Sequence, residues 1–431
     1  MKEPFDLAAA LEKRAGKDSD FRERLLADPR ETIEREFGIA LPENQELHVH
    51  EETYTATHVV LAPRSKQSES EREEAKAGAT SLEFLKKTMY DPAPPIRPPA
   101  PERASAVTTE TVVEAARESI GRGLDFLAST IDENGAWHCI RFNMADPDIP
   151  RHFERPPFVS ALCALALGSS NDARARAICA ATRAYVAETI EYPGFWRYYL
   201  HLPQDLDSST LCSILIGNHP WILLGRNVER MLANRDDDGR FRTWLLDEDE
   251  PDVVAPFRIE ADPVVNANVI AYLGDHPATK DAQAWLAALV EDGRLEGSSK
   301  WYPDTVAIQY AIARAMARAQ PAALDQLRPV LADRILAQRD DDGGFGNILQ
   351  TAQATSALDN VGALHRLDTK QTLTRFIGSQ REDGSWPELL AFGDQSLKWG
   401  KFGQIGHGSE AVTSAFCVEA MERLVEVARR G

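Results

Sequence analysis

Cysteine is scarce in this chain, five residues among 431. The number is odd and no C-x-x-C pair occurs, so neither a disulfide framework nor a cysteine-rich zinc site is indicated. Long apolar runs are missing as well. FVSALCALALG (158–168) is among the longest, about half of what a spanning helix needs. The N-terminal MKEPFDLAAALEKRAGKDSD has no uninterrupted apolar core of a secretory signal. Both absences point to a cytoplasmic protein without a membrane span. Basic side chains are in the minority, 48 Lys and Arg against 67 Asp and Glu, for a net charge of −19. That excess repels phosphate backbones and argues against nucleic acid as a partner. A Gly-rich phosphate loop and a Ser/His/Asp elbow are absent too.

What is present divides into three parts. Residues 1–63 are highly charged yet periodic, with Phe21, Leu25, Leu26, Ile33 and Phe37 near one helical face. Asp28-Pro29 reads as an N-cap and first-turn proline, and Gly38 as the helix end. LHVHEETYTATHVVLAP then alternates as a strand or hairpin does, at Leu47, Val49, Thr57, Val59 and Leu61. A small α+β module is expected. Residues 64–110 form a charged and Pro-rich linker, in which only SLEFLKKTMY (81–90) has a helical pattern.

Residues 111–431 carry a repeated turn containing Gly and an aromatic: DENGAWHCIRF, EYPGFWRYY, RDDDGRFRTWL, GRLEGSSKWY, QRDDDGGFGN and QREDGSWPEL. Their glycines (Gly135, Gly194, Gly239, Gly297, Gly343 and Gly384) are 59, 45, 58, 46 and 41 residues apart. Each turn follows one helix-like segment and precedes a second, more apolar one rich in Ala, Ser, Thr and Asn. Six such helix–turn–helix units are the signature of a helical array, with the apolar helices inside.

The QREDGSW turn and its looser copies QRDDDGGF and NRDDDGRF resemble the QW repeats of squalene–hopene cyclases and the prenyltransferase β-subunit superfamily. The resemblance spans residues 111–430 and implies an all-α fold, a closed (α/α)6 toroid. In those proteins a Gln ends the outer helix and stacks on the aromatic of the following turn. Gln380 with Trp386 fits that spacing, whereas Gln338 with Phe345 and Asn234 with Phe241 are one residue longer. The segment LLADPRETIEREFGIALPENQELHVHEETYTATHVVLAP resembles the nitrile hydratase-like leader domain of precursor peptides of ribosomally made natural products. It implies a docking module for a peptide-maturation enzyme through residues 1–63. Those precursors usually end the leader with a small-residue cleavage site, while this chain continues as APRSKQSESE.

The cyclase resemblance implies an isomerase-type enzyme in which a carboxylic acid protonates an alkene and aromatic faces stabilise the carbocations. Its acid lies in a D-x-D-D-type motif at the start of an inner helix. DLDSST matches as D-x-D followed by a hydroxyl, making Asp207 the implied acid and Asp205 the partner sharing its charge, with Ser208 replacing the second Asp of the usual pair. Two close carboxylates raise one pKa, which keeps an acid protonated near neutrality. The same residues also read as a helix N-cap. EADPVV, with Asp262 before a first-turn proline, invites both readings as well. The candidates for substrate contact are Trp196, Tyr198, Tyr199, Asp262, Trp301, Tyr302, Phe402 and His407, the last in a Gly-flanked turn before the final inner helix.

No metal-ligand set is expected. The Asp-x-Cys pair by which related prenyltransferases hold zinc is absent, and no cofactor is implied unless a diphosphate substrate brings Mg2+. DEDEPD (247–252) is interrupted by Pro251 and reads as a solvated loop. The expected substrate is a hydrophobic small molecule or a peptide. A second reading makes the toroid a non-catalytic binding or substrate-presenting module, docked through its leader-like domain.

Overall fold

The computed structural model describes residues 7–43, 45–51, 109–199, 202–246, 260–394 and 405–430. Three short helices open it: α1 (Leu7–Ala15), α2 (Ser19–Ala27) and α3 (Pro29–Phe37). Asp28 caps α3 by accepting from the Glu31 N–H, Pro29 fills its first turn, and Gly38 ends it at φ 65°. Leu7, Leu11, Phe21, Leu25, Ile33 and Leu41 form a separate small core, on which Leu223 and Leu224 of the main body also pack. Among the described residues, 45–51 do not form the expected strand. No partner strand lies beside them, and Leu47 and Val49 rest on the three-helix core instead. The rest of the expected hairpin and the 81–90 helix lie outside the described residues.

The main body alternates outer and inner helices. The outer ones are α4 (Thr109–Thr130), α6 (Ala173–Glu188), α8 (Val228–Ala233), α10 (Lys280–Asp292), α12 (Arg328–Leu336) and α14 (Thr369–Ser379). The inner ones are α5 (Pro157–Ala166), α7 (Leu206–Leu215), α9 (Pro263–Leu273), α11 (Thr305–Ala319), α13 (Ile348–Asn360) and α15 (Glu410–Arg430). Each inner helix packs on the next, and α15 packs back on α5, so the ring is closed. The all-α toroid expected from the repeats is what the chain forms. The inner helices are buried nearly all round because their Ala, Ser and Thr side chains let two neighbours approach at once.

All six outer-to-inner connections lie at the end where the inner helices begin, so the positive ends of six helix dipoles converge there. Asp205, Asp262, Asp304 and Asn347 cap four of these helices through their side chains. Arginines serve the opposite end: Arg183, Arg318 and Arg328 donate to the carbonyls of Leu215, Ala271 and Met316. Small strands decorate the N-terminal end. β1 (Cys139–Asn143), β2 (His152–Glu154), β5 (Leu390–Asp394) and β6 (Ile405–Gly408) make an antiparallel sheet in the order β2-β1-β6-β5, and β3 (Gln204–Asp205) pairs with β4 (Trp244–Leu245).

The turn aromatics plug the seam between outer and inner helices. The indole N–H groups of Trp137, Trp196 and Trp386 donate to the carbonyls of Leu127, Val186 and Phe376 in the preceding outer helix, at 3.2, 2.9 and 2.9 Å. Their backbone N–H groups donate to Ser160, Ser209 and Ser414 of the following inner helix. Phe241 and Phe345 are held the same way by Asn266 and Thr351. This corrects one expectation: Trp196 is fully buried with both N–H groups engaged, so it packs a turn and does not line a substrate site.

Candidate active site

Capping and catalysis ask for the same residue types at a helix start, and here the structure separates them. Asp205 is the N-cap of α7. Its Oδ1 accepts from the Ser208 N–H at 2.6 Å and its Oδ2 from the Tyr198 N–H at 2.9 Å. Asp207, two residues on, caps nothing. Its Oδ1 accepts from Asn268 Nδ2 of α9 at 2.5 Å, and its Oδ2 accepts from the Tyr302 hydroxyl at 2.6 Å. Arg314 of α11 donates to Asn268 Oδ1 at 2.5 Å. That bond fixes the amide so that its N–H side faces the carboxyl. Three inner helices and the loop before α11 therefore converge on one carboxyl group.

Electrostatics follow from burial. Desolvation pushes Asp205 up to about 7 against its backbone donors, with the nearby Asp207 charge adding to the rise. Burial raises Asp207 as well, opposed by the Tyr302 and Asn268 hydrogen bonds and by Arg314. Both carboxyls are thus lifted above the ordinary carboxylate range, each against two hydrogen-bond donors. Burial lifts the Tyr302 phenol well above its ordinary value, so it remains a hydrogen-bond donor.

An aromatic group adjoins this acid. Phe392 lies 6.2 Å from Tyr302, 5.8 Å from Tyr198, 5.2 Å from Phe158 and 5.2 Å from His407, on which it stacks at 15°. Sheet register explains the stack. His407 on β6 pairs with Phe392 on β5 and with Arg141 on β1, and cross-strand partners share a face. The Tyr198 hydroxyl lies 2.8 Å from His407 Nδ1 and 3.4 Å from Glu154 Oε2. Arg141 bridges Glu154 at 3.0 Å. Burial alone would raise Glu154, but His407, Arg141 and Tyr198 hold its carboxyl below the usual range.

The other expected residues distribute as follows. Asp262 caps α9 through the Val264 N–H and spends its second oxygen on the Ser299 hydroxyl at 2.6 Å and the Lys300 N–H at 3.1 Å. It is 1% exposed and raised to about 6 by burial, so its atoms are committed to structure and not to a ligand. Trp301 turns to Glu260 and stands edge-on to Trp244, with Lys300 over its ring. Tyr199 is partly buried in the same loop as Tyr198. Phe402 lies outside the described residues, as does DEDEPD. Among the described residues no three His, Cys, Asp or Glu side chains are placed to hold a metal ion. Asn268, Arg314, Glu154 and Phe392 were not foreseen. Asn268 and Arg314 had a signal, being polar residues inside the apolar runs PVVNANVIAYL and TVAIQYAIARA.

No protein-family model and no curated protein matches the chain. Solved structures do. A variant of the type II terpene cyclase MstE from Scytonema, without ligand, superposes with a TM-score of 0.58 at 16% identity, covering 74% of this chain and 99% of that one. Another MstE variant, in complex with the substrate geranylgeranyl dihydroxybenzoate, gives 0.56 at 16% identity over the same shares. A protein from Actinoplanes gives 0.56 at 18% identity, covering 72% of this chain and 99% of that one. The fold is thus the α/α toroid that type II terpene cyclases share.

Proposed function

We propose that the chain is a class II terpene cyclase-like enzyme that cyclises an isoprenoid chain by acid initiation. The observation that carries this reading is Asp207: a half-buried carboxyl that caps no helix, is held by Asn268 and Tyr302, and adjoins an aromatic group. Its proton adds to a terminal alkene, so that the O–H bond breaks, a C–H bond forms and a tertiary cation appears. Neighbouring alkenes then attack in turn, while ring faces such as Phe392 stabilise the moving positive charge. Asn268 and Tyr302 hold the carboxylate left behind. Mg2+ enters only where a substrate diphosphate brings it.

The test is incubation of the protein in D2O with geranylgeranyl diphosphate and with geranylgeranyl dihydroxybenzoate. A cyclised product carrying one new deuterium is expected, and no cyclised product from either would overturn the reading. The rate should also depend on pH with a definite sign. The acid acts in its protonated form, so cyclisation falls as pH rises through the Asp207 pKa, which burial lifts above the ordinary carboxylate range. A rate that climbs through pH 7 would contradict the assignment.

Residues 1–63 we read as a leader-like docking module for a peptide-maturation enzyme, placing the cyclase in a ribosomal peptide pathway. The separate core of α1–α3 supports a module that folds as its own unit. Deleting residues 1–63 should leave the toroid folded, with its melting temperature lower by no more than about 5 °C. Cooperative loss of toroid helicity in a circular dichroism melt would show that the two are one unit.

A further inference from the structure

A cation cascade that starts with a proton has to end by losing one or by capturing water. The acid side of this site is Asp207; on the far side of Phe392 stands a histidine with its own support. His407 Nδ1 carries both of that ring's polar contacts, to the Tyr198 hydroxyl at 2.8 Å and to Glu154 Oε2 at 3.4 Å. Nε2 carries none among the described residues. Two tautomers fit a 2.8 Å contact between Nδ1 and the Tyr198 oxygen, and the one with its hydrogen on Nδ1 also frees the Tyr198 O–H for Glu154. Glu154, bridged by Arg141, accepts from the Tyr198 O–H, and the Tyr198 oxygen in turn accepts from His407 Nδ1–H. The lone pair is then on Nε2.

Tyr198 also ties this base to the acid. Its backbone N–H donates to Asp205 at 2.9 Å while its hydroxyl orients His407. Phe392 touches both ends, stacking on His407 and adjoining Tyr302, which holds Asp207. Phe392 thus stands between Tyr302, the donor to Asp207, and the His407 imidazole.

We propose that His407 is the terminating base of this site, an assignment that rests on the cyclase reading above. Nε2 removes a proton from the carbon next to the final cation. That C–H electron pair becomes a ring alkene, the cation is neutralised, and the imidazolium is stabilised by Glu154 through Tyr198. The product is an isomer of the substrate ending in an alkene, and not an alcohol. His407 later releases its proton to solvent and the Asp207 carboxylate takes one up, which closes the cycle. Tyr198 and Glu154 are positioning residues.

The experiment compares wild type, His407→Phe and Tyr198→Phe on geranylgeranyl diphosphate and geranylgeranyl dihydroxybenzoate, reading the share of each product by mass spectrometry and NMR. Phenylalanine at 407 keeps the stack on Phe392 and removes the base. The share of the wild-type alkene among cyclised products should fall about tenfold, replaced by other alkene isomers and by products heavier by one water. Tyr198→Phe, which keeps the ring, should shift the share the same way by about threefold. It decides the matter alone if His407→Phe does not fold. Unchanged shares in the variants, or a wild type that yields only the water adduct, overturn the role of His407 and leave the cyclase reading standing. A wild type that cyclises neither probe overturns the cyclase reading itself, and this inference with it.

Discussion

Asp207→Asn should lower cyclisation by about 10³-fold or more while leaving the fold intact. The amide is nearly isosteric and has no acidic proton to give. Its oxygen still accepts from Tyr302 or Asn268, so no large cavity or orphaned donor is created, and a neutral group suits this half-buried position at least as well as a charge. The melting temperature should therefore move by no more than about 3 °C. The companion change Asp205→Asn separates the two roles. Asn is also a good N-cap, so α7 keeps its start, while the second raised carboxyl beside Asp207 is gone. Activity should fall less, and its decline with pH should move. Unchanged turnover in Asp207→Asn would exclude Asp207 as the acid. A large loss of helicity would mean that its carboxyl is structural after all.

The toroid was legible because its information is local and repeated. Each turn puts a glycine and an aromatic at nearly the same distance from its helix; Trp137, Trp196 and Trp386 each meet an outer-helix carbonyl and an inner-helix serine, and Phe241 and Phe345 keep the inner-helix partner, an amide or hydroxyl. That same repetition explains why Trp196 was misread. EYPGFWRYY is the densest mixture of aromatics in the chain, yet its tryptophan does the packing work of Trp137 and Trp386, while Tyr198 reaches the site. The acid was legible only as a choice between two aspartates. Where each carboxyl points depends on Asn268, Tyr302 and Arg314, which lie in later repeats and meet Asp207 only after the ring closes. Glu154 and Phe392 were hidden for another reason. They sit on short strands whose place depends on pairing with β1 and β6, and three to five residues carry too little pattern to announce that pairing.

Ring closure predicts the largest stability effect. Neighbouring repeats hold one another through sequence proximity, but the seam between α4 and α14–α15 joins chain segments far apart in sequence, and the turn at residues 380–386 clamps it. Gln380 ties the seam through hydrogen bonds. It accepts from the Ser119 hydroxyl at 2.7 Å and from Arg122 at 2.6 Å, and it donates to the Ser119 and Gly384 carbonyls. Gly384, at φ 87°, lies so close to α4 that any Cβ would collide with the Arg122 carbonyl. Trp386 fills the seam itself, fully buried and against Gly123 of α4. Trp386→Ala removes that filling, leaves the Phe376 carbonyl without its indole donor, and opens a cavity between the first and last helices. The cost is about 3–5 kcal/mol, a large part of the roughly 5–15 kcal/mol by which domains are stable. The melting temperature should drop by about 4–8 °C. Trp386→Phe keeps most of the volume and loses one buried hydrogen bond, so it should cost about 1–2 kcal/mol. If Trp386→Ala melted within about 2 °C of the wild type, the seam would be held elsewhere and the clamp at residues 380–386 would not be what closes the ring.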